Sequence, residues 1–111
     1  MMKIGVPVTN GVVSSHFGHC EKFYVADIVD GKIENPKMLT PPPHEPGVIP
    51  KWLGEKEVNL VLAGGIGSRA VGLFEGFGMK VIIGVPSDKP EIIINDYLNG
   101  ILKSGENACD H

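Results

Sequence analysis

The densest group of chemically capable side chains in this 111-residue chain is His16-Phe17-Gly18-His19-Cys20. Imidazole and thiolate together suit Zn, Cu, Fe and iron–sulfur species. The His-x-x-x-Cys spacing is not that of a zinc finger, and the sequence has no Cys-x-x-Cys pair. That argues against a closed tetrahedral zinc site. It leaves an open site that borrows few protein ligands and holds a preformed cluster. The competing reading makes His16 and His19 ordinary loop residues and Cys20 a small hydrophobe packed inside. His44 is a further candidate imidazole. It sits among Pro41, Pro42, Pro43 and Pro46, and a stiffened backbone loses less entropy when it grips a ligand. Its competing reading is an exposed loop histidine. Cys109-Asp110-His111 offers soft ligands at the far end of the chain.

A second chemical signal is Gly64-Gly65-Ile66-Gly67-Ser68-Arg69-Ala70, which joins a strand pattern to a helix pattern. Glycines let backbone N–H groups approach a ligand, and a helix N-terminus favours an anion. Arg69 adds fixed positive charge, and Ser68 is placed to cap the helix. Gly64, Gly65, Ile66, Gly67 and Arg69 are therefore the candidate cofactor-binding residues. The stretch also fits G-x-G-x-x-A, a dinucleotide fingerprint. It comes late in the chain, however, with only one strand pattern after it. The alternative to anion binding is close helix–strand packing through Gly64, Gly65 and Gly72.

The elements that must position these residues follow from hydropathic period and turn chemistry. Met2–Val8 is an apolar run that reads as a buried strand. Asn10–Cys20 reads as a polar loop. Lys22–Val29 and Lys32–Leu39 read as strands joined at Asp30-Gly31, a type I′ hairpin signal. The proline-rich stretch 40–46 is a loop. Val48–Glu55 has helical spacing, with Pro50 in its first turn. Asn59–Ala63 reads as strand and Ser68–Phe77 as helix, with Gly78 at its C′ position. Met79–Gly84 is another strand. Asp88 and Pro90 open a last helix that Gly105 ends, with Leu98, Ile101 and Leu102 inward and Gly100 as a weak interior point.

This order, β-β-β-α-β-α-β-α, describes a five-stranded mixed sheet with helices on its faces, a ribonuclease-H-like α/β arrangement. The first strand is central, with the hairpin to one side and the last two strands to the other. The loops after the first, third, fourth and fifth strands then share one edge, where open α/β sheets bind ligands. That edge gathers His16, His19, Cys20, His44, the glycine turn and Ser87-Asp88. The last helix runs roughly 20 Å away from it at 1.5 Å per residue. Cys109 and His111 must therefore fold back, or meet another subunit, to reach it.

Bulk properties bound the partners. The length fits one domain spanning residues 1–111. Ten basic against thirteen acidic residues give a net charge of −3. That argues against nucleic-acid or membrane partners, which call for basic surface. No apolar run approaches the ~20 residues that span a bilayer, and no signal-peptide pattern stands at the start. A cytoplasmic, reducing location is expected, where a disulfide between Cys20 and Cys109 is disfavoured. A Cys20–His thiol enzyme lacks an orienting carboxylate. Metal-dependent nuclease chemistry lacks carboxylates on the first strand. The expectation is a protein that is not an enzyme.

The segment from Ser15 to Phe23, read as His16-Phe17-Gly18-x-Cys20-x-x-Phe23, resembles a signature of the dinitrogenase iron–molybdenum cofactor biosynthesis proteins. Gly64-Gly65-Ile66-Gly67, Ala70, Leu73-Phe74, Gly78 and Val81 resemble that family's second signature. Gly105-Glu106-Asn107-Ala108-Cys109-Asp110-His111 resembles the ending of its small stand-alone members. The resemblance implies a ribonuclease-H-like fold. It also implies binding or carriage of iron–molybdenum-type or iron–sulfur clusters or their precursors, with cluster donor or acceptor proteins as partners. The metal candidates are then His16, Cys20, His44, Cys109 and His111. His19, at a variable position of the motif, ranks below His16 and Cys20.

Overall fold

The computed structural model describes residues 2–43, 45 and 47–102, with the backbone alone at residue 19. β1 (Met2–Thr9), β3 (Lys22–Val29), β4 (Lys32–Leu39), β5 (Leu60–Leu62) and β6 (Lys80–Ile82) lie in the order β4-β3-β1-β5-β6. β3 is antiparallel to both β1 and β4, while β5 runs parallel to β1 and β6 parallel to β5. The central first strand and flanking hairpin are those expected from sequence. The directions also put the loops after β1, β4, β5 and β6 at one edge.

A sixth strand corrects the expected count of five. β2 (Val12–Val13) turns back antiparallel on the end of β1, pairing Val8 with Val13 and Thr9 with Val12. The turn is Asn10-Gly11, both at positive φ (54° and 81°), the geometry a two-residue type I′ hairpin needs. The other hairpin repeats it at Asp30-Gly31, with φ of 53° and 74°.

Strand alternation divides the core in two. Ile4, Val6 and Val8 of β1, with Tyr24, Ala26 and Ile28 of β3, face Ile93 and Ile94 of α3 (Pro90–Leu98). Phe23, Val25 and Val61 face the other way. They meet Ile49 and Leu53 of α1 (Val48–Glu55) and Phe74 of α2 (Ser68–Gly76). Each fully buried Val, Leu, Ile or Phe among them contributes about 1.5–3 kcal/mol. The β4 edge is largely exposed and carries Lys32, Pro36 and Lys37, residues that discourage further pairing.

Three expectations about helix ends are corrected. Gly67, not Ser68, is the N-cap of α2, and no side chain caps it. Lys89 is the N-cap of α3, while Asp88 Oδ1 accepts the Lys89 N–H at 2.8 Å. α3 stops at Leu98 rather than running to Gly105. Gly100 takes φ 73°, and the N–H groups of Gly100 and Ile101 donate to the carbonyls of Tyr97 and Asp96. This is the two-bond closure that glycine at C′ permits, so Gly100 is a stop signal and not an interior weak point. Beyond it Ile101 is 64% exposed, against the expected inner face, while Leu102 packs on the α3-side core.

Candidate functional site

After β2 the chain passes from Ser14 to Cys20 along the rim, pinned at several points. Val13 N–H donates to Asp88 O (2.9 Å), Ser14 N–H to Pro7 O (2.8 Å) and Phe17 N–H to Gly65 O (2.7 Å). Ser14 is buried, the one buried polar side chain among the described residues. Its hydroxyl accepts from Thr9 Oγ1 (3.2 Å) and donates to the His16 carbonyl (2.8 Å). A buried hydroxyl costs free energy unless hydrogen-bonded, and here that bond fixes the backbone that carries His16.

The glycine turn divides its roles. A Cβ on Gly64 would stand 2.6 Å from the Ser14 carbonyl oxygen, so Gly64 serves close approach of the Ser14–Ser15 backbone. Gly65 receives the Phe17 N–H through its carbonyl. Ile66 is fully buried in the α1–α2 core. Gly67 and Arg69 face a surface groove. Gly72 has open space where its Cβ would be and packs against nothing there, contrary to the packing reading.

Two concavities open on the rim, one on each side of segment 14–18. The first, of about 350 Å³, is lined by Thr9, Asn10, Val12, Val13, Ser14, Ser15, His16 and Ser87. His16 is exposed there, and the Ser15 and Ser87 hydroxyls lie 3.5 Å apart. The second, also about 350 Å³, is lined by Phe17, Gly18, Glu45, Gly47, Ile49, Pro50, Gly67, Arg69, Ala70 and Leu73. Phe17 stands edge-on to Phe23 (6.0 Å) and to Phe74 (5.5 Å).

Cys20 follows the short 3₁₀ turn Phe17–His19 and points inward. It is 6% exposed, within the same apolar cluster as Phe23, Ile66 and Phe74. Burial pushes its thiol up from 9.0 to about 11, partly offset by a backbone hydrogen bond. The thiol therefore holds its proton at neutral pH, and a thiol nucleophile has no support in this geometry. His16 and Cys20 share one short segment with the glycine turn, but His16 opens to the hydroxyl-lined cleft while Cys20 lies in the core. His44, Cys109 and His111 lie outside the described residues. Among the described residues, no three His, Cys, Asp or Glu side chains gather as a ligand set. Sequence reasoning did not find the Thr9–Ser14 hydrogen bond or the Ser15–Ser87 approach. The second joins positions 72 residues apart, and no local pattern announces it.

Fold and rim together define a small mixed α/β domain with two concave surfaces beyond the carboxyl ends of its parallel strands. The chain belongs to the dinitrogenase iron–molybdenum cofactor family, whose profile matches residues 1–100. It is 33% identical over 86 residues to the uncharacterized protein MJ0580 of Methanocaldococcus jannaschii, covering 73% of each chain. Among solved structures it is similar to PH0822, with TM-score 0.84 and 29% identity over 94% of this chain and 96% of that one. It also shares its fold with the apo form of the orange protein from Desulfovibrio gigas. There the TM-score is 0.74 at 19% identity, over 96% and 95% of the two chains. No helix among the described residues is long and apolar enough to cross a membrane.

Proposed function

We propose that this protein binds or carries an iron–sulfur or iron–molybdenum-type metal cluster, or its precursor, as an accessory protein in metallocluster biosynthesis. The observation that carries the reading is the 2.7 Å Phe17 N–H to Gly65 carbonyl bond. It ties the one described imidazole of the rim, His16, to the turn that leads into Arg69 and α2. Family membership supplies the class of cargo.

The donor set suits a cluster better than a lone ion. A single zinc ion needs three or four protein ligands, more than the described residues gather. A cluster brings its own sulfides and asks for one or two protein ligands together with charge and shape. In this reading His16 is the outward ligand, while Arg69 and the Gly67 end of α2, which line the groove on the other side of segment 14–18, add positive charge to the same rim. Cys20 is a reserve ligand. A metal drives off a thiol proton, but first the turn Phe17–His19 must lift to reach it. His44, Cys109 and His111 are further candidate ligands, and cluster donor or acceptor proteins are the expected partners. The protein acts as a carrier and not as a catalyst.

The test is elemental analysis and visible spectroscopy of protein purified without oxygen, before and after cluster reconstitution. Sulfide-to-metal absorption and stoichiometric iron or molybdenum are expected. Colourless, metal-free protein after reconstitution would overturn the reading. If His16→Ala and Cys20→Ser load as fully as the parent, the ligand assignment fails.

A further inference from the structure

The groove beside Phe17 has a chemistry that a metal cargo does not use up. Its walls are apolar: Phe17, Ile49, Pro50, Ala70 and Leu73. Arg69 and Glu45 are its charged lining residues. Among the described residues the Arg69 guanidinium makes no ion pair or hydrogen bond. Its five donors are set in a fork that matches a carboxylate. At about 350 Å³ the groove sits at the small end of ligand sites, which run roughly 300–1,000 Å³.

We propose that this groove binds a small organic monoanion: a flat or branched apolar body against Phe17 and Leu73, with its carboxylate on Arg69. The walls exclude the alternatives. A phosphate ion is strongly hydrated and has no apolar body, so it gains nothing from the walls while losing water to them. A doubly charged ligand is further disfavoured by the Glu45 carboxylate on the same lining. A neutral apolar molecule gains from the walls but leaves the guanidinium unanswered. The site uses neither His16 nor Cys20, the candidate cluster ligands, and shares only the Gly67–Arg69 end of α2 with the cluster reading.

The experiment uses the full chain, metal-free, so its outcome does not depend on cluster loading. 1-Naphthoate, 1-naphthalenemethanol and inorganic phosphate are titrated in turn and followed by amide NMR. Naphthoate is expected to give saturable shifts at Gly18, Gly67 and Ala70, with the neutral alcohol about tenfold weaker and phosphate without effect. Arg69→Gln should cost naphthoate about tenfold, the scale of one charge-assisted hydrogen bond, and leave the alcohol unchanged. Equal affinity for acid and alcohol would overturn the proposal. So would shifts confined to other surfaces, or phosphate binding as well as naphthoate.

Discussion

Replacing Gly64 by alanine places a methyl carbon 2.6 Å from the Ser14 carbonyl oxygen and 3.3 Å from Ser15 Cα. Both neighbours are backbone, so no flexible side chain can swing aside. A carbon and an oxygen rest at about 3.3 Å or more, and overlaps of this size cost about 1–3 kcal/mol in packed interiors. The loop must move by several tenths of an ångström. Ser14 N–H to Pro7 O at 2.8 Å and Phe17 N–H to Gly65 O at 2.7 Å resist that movement. Losing one of them costs about 1 kcal/mol. Gly64 does not take positive φ, so alanine recovers about 0.4–1 kcal/mol by restricting the unfolded chain. The net expectation is a loss of about 1–3 kcal/mol, measured by urea unfolding. Gly72→Ala is the internal control. It lies in α2 with open space at its Cβ, and should stabilise by about 0.5–1 kcal/mol. A Gly64→Ala protein as stable as the parent would refute the claim that this glycine seats the His16 loop.

Cys20 in the folded chain should alkylate slowly at pH 8, since a thiol at about 11 is then about one part in a thousand thiolate. The rate should jump in urea, as peptide-resolved mass spectrometry can follow. Because the folded value lies above the reference 9.0, the native state holds the proton more tightly. The Cys20 contribution is therefore complete below pH 9 and is lost as pH rises toward 11, at about 1.4 kcal/mol per unit. An unfolding free energy that stays flat from pH 9 to 11 would contradict this. Phe17→Ala removes the edge contacts to Phe23 and Phe74 and one wall of the groove. A half-buried ring should cost about 2–3 kcal/mol in denaturant unfolding. Gly11→Ala forces alanine into φ 81° and should cost about 1 kcal/mol. An unchanged midpoint would mean the β1–β2 turn relaxes freely.

The sheet was largely legible because its signals are local. Asp30-Gly31 announced one hairpin, apolar runs gave the buried strands, and Pro50 and Pro90 marked helix starts. Asn10-Gly11 carried the same hairpin signal as Asp30-Gly31. The strand that follows it, Val12–Val13, is two residues long, too short to show a strand period before the polar Ser14-Ser15-His16, so the stretch reads as loop. Gly100 illustrates the opposite error. Apolar residues on both sides suggested a continuing helix, but a glycine followed by Ile101 and Leu102 also fits a stop, and backbone closure onto Asp96 and Tyr97 decided it. At the site, topology predicted correctly that the His16–Cys20 segment meets the glycine turn. It did not predict which side chains turn inward, because that depends on non-local packing such as Phe17 against Phe74.

That packing determines how the rim can work. Within seven residues Ser14 hydrogen-bonds inward, Ser15 and His16 face the hydroxyl-lined cleft, Phe17 seals an apolar seam, and Cys20 closes the core. An imidazole outside and a thiol inside the same short segment cannot ligate one metal without movement. The segment is held by backbone hydrogen bonds at Ser14 and Phe17 and by the close approach at Gly64, so exposing Cys20 lifts the turn Phe17–His19 against those bonds. Any cargo that engages both residues must repay the loss of Phe17's aromatic contacts. One that engages His16 alone need not. The cost of taking Cys20 as a ligand is thus set by Phe17. If the protein carries a cluster as proposed, a Phe17→Ala protein should load it through Cys20 more readily than the parent even as its fold weakens.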